Sequence, residues 1–440
     1  MSNKKTIMID GRNLGLEKGT GVATYARNLS YCLHDMGYGV DVLYGSRAAP
    51  GMSNLMKEIN FFDDSMRKTS VFFSALNIAK DTFRAPFGFS ATRVPITGKV
   101  ISDTFKSRLP YFDHIENSPN LFTKTHNVFG VYKQLNKIYP EHKPDLMHWT
   151  YPLALKAPDV TNIYTLHDLV PLRLPYTTLD NKRRYFRLVS VIAKEADHIV
   201  TVSESSKRDI MELLGVPEKR ITNTYQSVHI PTKYAEKPEE VVQREIGGTF
   251  GLGYKDYYLF WGSIEPKKNI GRLIEGYLAS GVETPLVIVG AQAWKSEEEL
   301  KLLYDDNIRS LIQVRPEMRA KRKVIQLSYA PFPLLVSLIK GAKATVFPSL
   351  YEGFGLPVLE SMLLGTPVIA ANTASLPEIA GESAILINPY DSQEIAQAIR
   401  AFDADESLRE AYASAGRTQA FKFSKEAYSE RLSSVYKRFL

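Results

Sequence analysis

The 440-residue sequence contains a single cysteine, Cys32, so no disulfide can form within the chain. We therefore expect a reducing compartment, and we expect Cys32, which lies in an apolar-periodic stretch, to be a small core residue. No run of apolar residues reaches the length of about 18 that a membrane-spanning helix needs. The first residues lead directly into the apolar-biased stretch 6–10, which predicts a strand rather than a signal peptide.

Signatures of several enzyme classes are also missing. The eight histidines lack the close spacing of metal ligands, and the sequence has neither a Gly-x-Ser-x-Gly elbow nor a phosphate-loop Gly-Lys-Ser/Thr motif. The first strand is not followed by Gly-x-Gly-x-x-Gly, which weighs against a nucleotide-dependent oxidoreductase. With 44% hydrophobic and 23% charged residues, a disordered or collagen-like chain is excluded.

Positive charge is concentrated in one segment. The chain has a net charge of +7 and a pI near 9.0, which suits nucleic acid, an anionic membrane or a phosphorylated substrate. Residues 66–110 hold eight basic and two acidic side chains together with six phenylalanines. We predict that this segment docks on an anionic membrane surface and guides a membrane-bound acceptor. The alternative, that the phenylalanines fill a core and the cations are merely solvated, stays open.

Short apolar runs alternate with stretches of helical period, and the alternation occurs twice. Uninterrupted apolar strands spaced by helices predict parallel sheets covered on both faces, and a chain this long predicts two domains. We expect an α/β fold of two doubly wound Rossmann-like domains facing a central cleft, at 1–235 and 250–420. A polar segment at 231–254 would link them, and a helix at about 424–440 would pack back on the first domain. The predicted strands are 6–10, 40–44, 146–149, 163–167, 199–203, 258–262, 285–290, 324–328, 344–348, 367–371 and 385–388.

The most informative loop follows the predicted strand 344–348. It contains Gly353-x-Gly355, and Pro357 opens a helix there, so free backbone N–H groups and the positive helix end would form an anion site suited to phosphate. Glu352 and Glu360 bracket this site. Because a carboxylate does not bind phosphate, we expect these two side chains to bind hydroxyls of a sugar or ribose.

Two further strand–helix junctions carry signals for anion binding. Lys267 and Lys268 follow the predicted strand 258–262 and enter a helix N-terminus, where a cation is unfavourable unless an anion is bound. The Gly19-Thr20-Gly21 turn follows the first strand and opens a helix, although glycines at such junctions also serve plain turns.

A histidine lies at the end of the predicted strand 163–167. His167 precedes Asp168, and we expect the aspartate to orient the imidazole toward a substrate at the cleft mouth. His148, in the preceding strand, is expected to be structural.

Five sequence segments together resemble the retaining glycosyltransferases of family 4, which have the GT-B fold. The match runs over most of the chain and is strongest from 257 to 401. Within the family it is most similar to bacterial mannosyltransferases of polysaccharide assembly. The segments are PSLYEGFGLPVLESMLLGTPVIAAN from 348, GSIEPKKN from 262, TLHDLVPL from 165, VTVSESSKRDI from 200 and SLPEIAGESAILINPYD from 375.

The resemblance implies a role for each matching residue. Glu352 would contact hydroxyls of the transferred sugar, Glu360 would bind the ribose hydroxyls, and Lys268 would hold the diphosphate. His167 would lie beside the donor sugar. Ser263 stands where some members carry an arginine, which leaves Lys268 with more of the positive charge. The other implied donor-binding residues are Gly21, Ser328, Tyr329, Gly353, Phe354, Gly355, Leu356 and Val358.

The implied activity is transfer of a hexose with retention, without a metal ion and without a cofactor, because the nucleotide sugar is itself a substrate. GDP-mannose is the expected donor, and a lipid-linked O-antigen or exopolysaccharide is the expected acceptor. The enzyme would be cytoplasmic and peripheral on the inner face of the cytoplasmic membrane. Four alternatives remain: a transferase using a UDP-sugar, a GT-B-fold epimerase or phosphorylase, an oxidoreductase, and a nucleic-acid-binding protein.

Overall fold

The computed structural model describes residues 4–14, 21–46, 53–62, 81–100, 109–294, 296–303 and 323–440. Within these ranges the chain forms two compact units. The first comprises Met1–Leu172, Asp180–Ser227 and Lys425–Leu440, and the second comprises Arg173–Leu179 and Val228–Ser424.

The first unit is built on an eight-stranded sheet with the order β11-β10-β9-β7-β1-β2-β5-β4. All its neighbouring strands are parallel except β4 and β5. A separate small sheet has the strand order β3-β6-β8, and its neighbouring strands are parallel. The strands are β1 Thr6–Asp10, β2 Gly39–Tyr44, β3 Phe89–Ser90, β4 Thr92–Val94, β5 His114–Asn117, β6 Asn136–Tyr139, β7 Leu146–Trp149, β8 Leu155–Lys156, β9 Thr161–Thr165, β10 His198–Thr201 and β11 Ile221–Asn223.

The helices of the first half follow these strands and have recognisable ends. Asn181 accepts a hydrogen bond from the Arg184 amide at the start of one helix, and Ser203 accepts one from the Ser206 amide at the start of the next. These are ordinary N-cap contacts, which satisfy amides that have no partner inside the helix. The helices are α1 Gly21–Asp35, α2 Asn54–Phe62, α3 Leu121–Tyr132, α4 Val170–Arg173, α5 Lys182–Glu195 and α6 Glu204–Leu214.

The second unit contains a six-stranded, fully parallel sheet with the order β14-β13-β12-β15-β16-β17. This is the 3-2-1-4-5-6 order of a doubly wound nucleotide-binding sheet. Successive strands are added on one side of β12 as far as β14, and then on its other side from β15 onward. The strands are β12 Tyr258–Trp261, β13 Leu286–Val289, β14 Val324–Leu327, β15 Ala344–Phe347, β16 Val368–Ala371 and β17 Ala384–Ile387.

Helices separate the strands of the second unit. None of the helices in the described ranges combines the length and apolar character needed to cross a membrane. The helices are α7 Thr232–Ala235, α8 Glu239–Phe250, α9 Ile270–Ser280, α10 Ser296–Glu299, α11 Phe332–Gly341, α12 Leu356–Leu363, α13 Leu376–Ala380, α14 Ser392–Ala404 and α15 Glu406–Ala420.

The segment 231–254, which the sequence predicted to link two domains, folds as helices α7 and α8 of the second unit. Val242 and Ile246 of α8 are buried, and a Cβ on Gly341 of α11 would touch the side chains of both. The i and i+4 spacing of these two apolar residues provides a packing face. That face outweighs the helix-weakening Gly247 and Gly248, from which the linker was predicted.

The C-terminal helix, Lys425–Tyr436, packs in the first unit. Its Tyr428, Leu432 and Val435 are buried, and the Tyr436 hydroxyl lies 2.6 Å from Nδ1 of His148. Because Nε2 of His148 lies 2.8 Å from the Thr165 hydroxyl, both ring nitrogens are occupied. Burial lowers the pKa of His148 to about 3, so the ring is neutral and structural, as the sequence indicated.

Truncating Leu432 should destabilise the first unit. The side chain is 0% exposed, and removing a buried leucine costs about 2–5 kcal/mol through lost apolar contacts and a residual cavity. For Leu432→Ala we expect lower amide hydrogen-exchange protection in β1, β7 and β9, with the β12–β17 sheet unchanged. Glu430→Ala, on the exposed side of the same helix, is the matched control. Protection equal to wild type in β1, β7 and β9 would contradict the packing described here.

Candidate functional site

Two loops of the second unit meet where its strand order reverses. β12 and β15 are neighbours in the sheet, and the loops at 262–269 and 348–355 follow their carboxyl ends. The Leu350 amide donates to the Lys267 carbonyl over 2.8 Å, so the loops lie side by side. In open α/β sheets ligands bind at this position, outside the carboxyl ends of the strands.

Lys268 and Glu352 form an ion pair between these loops. Lys268 Nζ lies 2.6 Å from Glu352 Oε1, and the side chains are only 12% and 13% exposed. The Ser349 hydroxyl donates to the same oxygen over 2.7 Å. Burial raises the pKa of Glu352, but the charges of Lys268 and Lys267 and the two hydrogen bonds outweigh it, so the pKa is lowered. Glu352 is therefore a carboxylate at neutral pH.

Side chains that the sequence analysis did not single out hold the Glu352 loop in place. The Ser375 hydroxyl contacts two carbonyls, of Glu352 at 2.9 Å and of Phe354 at 2.8 Å. Asn269 Nδ2 donates to the carbonyls of Pro348 at 3.0 Å and Pro389 at 2.7 Å. Ser375 and Asn269 both lie inside segments that resemble family 4, and in the sequence that location was the only sign of their role in the site. Their partners lie 21 to 120 residues away in the sequence.

Helix α12 begins directly after this loop. Gly355 precedes it with φ 103°, a conformation that favours glycine, and a Cβ there would lie 2.7 Å from Leu376. Pro357 has no N–H, and the Val358 amide donates to the Gly355 carbonyl over 3.1 Å. The Phe354 ring is buried against Phe423, at a centroid distance of 5.7 Å, so only its backbone faces the loop.

Glu360 occupies a different environment from Glu352. Trp261 Nε1 lies 3.4 Å from Glu360 Oε2, and no basic side chain among the described residues shifts the pKa of Glu360. Burial raises the pKa of Glu360 to about 7, and the Trp261 contact lowers it only in part. The Trp261 ring is itself fixed edge-on against Phe347, with centroids 4.8 Å apart. Glu360 is therefore a carboxyl whose charge state changes near neutral pH.

The other predicted donor-binding residues lie at strand ends or at a helix start. Ser263 follows β12, is exposed, and donates to Glu265 over 2.9 Å. Ser328 and Tyr329 follow β14, and Tyr329 is 77% exposed. Gly21 begins α1 in the first unit.

His167 lies in the first unit, just after β9. Its Nε2 donates to the Thr150 carbonyl over 2.9 Å, and its ring meets the Tyr25 ring edge-on at 4.7 Å. Burial lowers the pKa of His167 more than the Thr150 contact and Asp168 raise it, so the ring is neutral. Nδ1 therefore carries a lone pair that can accept a hydrogen bond.

The prediction that Asp168 orients His167 was wrong. Asp168 Oδ1 accepts a hydrogen bond from the Val170 amide over 3.1 Å at the start of α4. The carbonyl of Thr150, 17 residues upstream, orients the imidazole instead. The carboxylate of an aspartate near the start of a helix readily accepts a hydrogen bond from a nearby free amide, because the two groups are already close in the chain.

Comparison with known proteins identifies the family. Residues 100–229 match the description Glycosyltransferase Family 4, and residues 251–419 match Glycosyl transferases group 1. The O-antigen chain mannosyltransferase B of Escherichia coli is 32% identical over 285 residues, which cover 62% of this chain and 70% of that protein. The chain belongs to glycosyltransferase family 4.

Other relatives of this family 4 glycosyltransferase are also named as mannosyltransferases. The O-antigen chain mannosyltransferase RfbU of Salmonella typhimurium is 29% identical over 58% of this chain and 62% of its own. The serotype-specific mannosyltransferase WbdA of Escherichia coli is 27% identical over 62% of this chain. The aligned region covers 33% of WbdA.

Solved structures confirm the GT-B fold. Sucrose-phosphate synthase from Thermosynechococcus elongatus superposes with a TM-score of 0.65 at 16% identity, covering 99% of both chains. HepE from Anabaena, solved in complex with UDP, gives a TM-score of 0.66 at 15% identity, covering 99% of this chain and 100% of that chain. The expectation of two Rossmann-like α/β sheets is therefore correct.

Replacing Glu360 with glutamine should change stability in a pH-dependent way. The folded pKa of about 7 exceeds the ordinary value of 4.5, so the wild type loses stability as pH rises through that window. Glu360→Gln cannot ionise and should gain up to about 3 kcal/mol over wild type between pH 4.5 and 7, then level off.

Denaturant unfolding at pH 4.5, 6 and 8 measures this difference. Glu382→Gln, at an exposed glutamate of the same unit, is the matched control and should show no such gain. A Glu360→Gln stability difference that is constant across pH would contradict a raised pKa at this position.

Proposed function

We propose that this glycosyltransferase moves a hexose, mannose from GDP-mannose, with retention onto a hydroxyl of a growing lipid-linked bacterial surface glycan. The observation that carries the proposal is the pair Lys268–Glu352 at the reversal of strand order, directly before the start of α12. The sugar and the acceptor class rest on the relatives, which are named O-antigen chain mannosyltransferases.

The leaving nucleoside diphosphate gains negative charge as the bond from its phosphate oxygen to the sugar C1 breaks. Lys268 and the positive end of α12 lie at this position and would stabilise that charge. Lys268 would exchange its carboxylate partner for phosphate oxygens, which also accept hydrogen bonds from its three N–H donors. On this proposal neither a metal ion nor a cofactor takes part.

Once Lys268 turns toward the diphosphate, Glu352 needs other donors for its buried charge, and the hydroxyls of the transferred sugar supply them. Glu352 would thereby hold the sugar by its hydroxyl side rather than attack C1. The acceptor oxygen bonds to C1 on the face that the diphosphate leaves, and its proton passes to a phosphate oxygen of the departing diphosphate.

The alternatives give different products or ligands. A UDP-sugar donor would leave the same geometry with a different base. A phosphorylase or epimerase would form product without a glycan acceptor, whereas the proposed transferase releases nucleoside diphosphate only when the acceptor is added. NADH binding would favour an oxidoreductase, and a salt-sensitive gel shift with random oligonucleotides would favour nucleic-acid binding.

Transfer should proceed with retention and should survive excess EDTA, since Lys268 and the α12 amides supply the positive potential. NMR of the product anomer and release of nucleoside diphosphate measure the two parts. An inverted product, or activity abolished by EDTA, would refute this mechanism.

Glu352→Gln should bind nucleoside diphosphate nearly as wild type does while turnover collapses, because its contacts are to the moving sugar.

An exposed apolar surface in the first unit supports the proposed membrane contact. The Tyr132 hydroxyl donates to the Thr82 carbonyl over 3.1 Å, and β3 pairs with β6, so residues 82–90 lie against the end of α3 and against β6. Phe83 and Phe87 are each 80% exposed. We name this surface the phenylalanine patch; its apolar members are Phe83, Phe87, Val131, Tyr132 and Tyr139.

Exposed basic side chains accompany the phenylalanine patch: Arg84, Lys133 and Lys137. Each basic residue near an anionic leaflet contributes about 1 kcal/mol, and inserted aromatic rings add apolar burial. The segment 66–110, on which the membrane prediction rests, is described at 81–100 and 109–110. Its other members, Arg67, Lys68, Phe72, Phe73, Lys80, Phe105, Lys106 and Arg108, lie outside the described residues.

Replacing Phe83 and Phe87 with Ser, or Arg84, Lys133 and Lys137 with Ser, should reduce co-sedimentation with anionic vesicles. Binding should be weaker to zwitterionic vesicles and at high salt, because part of the attraction is electrostatic. Phe421→Ser is the control, as it removes a 74% exposed phenylalanine from the second unit. Equal sedimentation of wild type and both patch variants would favour a soluble acceptor.

A further inference from the structure

The first unit contains a cavity that none of the residues implied by the family resemblance lines. Its volume is about 440 Å³, within the range of sites for small molecules, and it opens to solvent. It lies where the strand order of the first unit reverses, since β1 has β2 on one side and β7 on the other. Arg12 follows β1, Tyr151 follows β7, and Arg184 and Tyr185 come from the first turn of α5.

Two arginines line this cavity, Arg12 and Arg184, and neither forms an ion pair with a carboxylate among the described residues. Arg184 Nη2 donates to the His126 carbonyl, whereas Arg184 Nε is buried without a hydrogen-bond partner. Arg12 is exposed, and its guanidinium lies 5.9 Å from the centre of the Phe122 ring. Each guanidinium has five N–H donors in a fixed fork geometry, which suits a carboxylate or a phosphate.

The rest of the lining suits a sugar ring that carries one negative charge. Among the described residues that line the cavity, Asp180 is the one carboxylate against two arginines, so their charges sum to a positive value. Burial, and then the charges of Arg184 and Arg12, lower the pKa of His126, so its ring is neutral at pH 7. The rings of Tyr151 and Tyr185 give the cavity aromatic walls, and such rings pack against the apolar faces of sugars.

Hydrogen bonds connect the walls of the cavity with His167. Thr150, whose carbonyl orients His167, immediately precedes Tyr151. The Tyr185 hydroxyl donates to the Asp168 carbonyl over 3.1 Å. Buried Asp10 accepts from the Thr150 amide at 2.5 Å and the Arg12 amide at 3.2 Å, which fixes both strand ends. A ligand in the cavity would therefore lie next to the environment of His167 in the same unit.

We propose that this cavity binds a saccharide bearing an oxyanion, a phosphate or a carboxylate, with Arg12 and Arg184 as its anion-binding residues. Identifying this saccharide with the acceptor rests on the proposed function, but its binding does not. The two sources of the oxyanion are a sugar phosphate and a uronic acid.

Titration calorimetry of the full chain without donor tests the proposal, using glucose 1-phosphate, glucuronate and neutral methyl mannoside as probes. One of the two anionic probes should bind at least about tenfold more tightly than the neutral one, because hydrogen bonds between charged groups are stronger than those between neutral groups. Tighter binding of glucose 1-phosphate would indicate a phosphate ligand, and tighter binding of glucuronate would indicate a uronic acid.

Arg12→Gln and Arg184→Gln should each weaken the preferred anionic probe about tenfold or more. Arg187→Gln, at an exposed arginine on the same helix, should bind as wild type does. Arg12→Gln keeps the test valid if Arg184→Gln fails to fold, since Arg12 is exposed and the Asp10 contact comes from its backbone. The measurement is repeated in Lys268→Ala, where binding should persist, because the cavity does not use the diphosphate loop.

Equal binding of anionic and neutral probes, no binding of any probe, or wild-type binding by Arg12→Gln would each overturn the proposal. A loss of probe binding in Lys268→Ala would also overturn it, since the probe would then occupy the donor site. Transfer activity is measured separately. A chain that transfers sugar but binds no anionic probe refutes this inference alone, whereas one that binds the probe without transfer refutes the proposed function alone.

Discussion

The buried ion pair between Lys268 and Glu352 is the contact around which the second unit's site is arranged. Each charge lost water on burial and depends on the other for compensation, so any ligand that displaces one partner must supply groups for both. A diphosphate for the lysine and hydroxyls for the carboxylate meet that requirement together. The pair exists because the sheet reverses its order between β12 and β15, which places two distant loops next to each other.

The two glutamates of the site show how local surroundings divide their chemistry. Glu352 has two lysines nearby and remains ionised despite burial. The side chain of Glu360, eight residues later, contacts an indole N–H at 3.4 Å and no basic group among the described residues, and its pKa rises to about 7. Glu352 is ionised throughout, so it can accept hydrogen bonds in every state of the site. Glu360 costs stability when it is charged and buried, so hydrogen bonds from ligand hydroxyls would stabilise its charged form most.

The first unit follows the same topological rule with different side chains. Its strand order reverses between β1 and β7, and there Asp10 fixes the backbone of Arg12 and Thr150, while Thr150 fixes His167. The buried groups of this network, Asp10 and His167, are acidic and neutral, whereas the residues that line the cavity include two basic ones. Its cations, Arg12 and Arg184, have no carboxylate partner among the described residues, in contrast to Lys268. The cavity is thus suited to an anion that the protein does not itself provide.

The sequence by itself predicted the fold class and eleven of the seventeen strands in the described residues, because strands of a parallel sheet are apolar throughout and recur between helices. It missed β3, β4, β5, β6, β8 and β11, which are two to four residues long. Position at strand ends and strand–helix junctions singled out Glu352, Glu360, Lys268 and His167, and the family resemblance assigned a role to each. Only the tertiary structure decided which of these groups touch: that Lys268 pairs with Glu352, that Ser375 holds the loop, and that Thr150 rather than Asp168 orients His167. Such contacts join residues far apart in the chain, and no local pattern records them. The prediction of a linker from the glycines at 247 and 248 was wrong for a similar reason, since Gly341, which packs against Val242 and Ile246, lies 95 to 99 residues downstream of them.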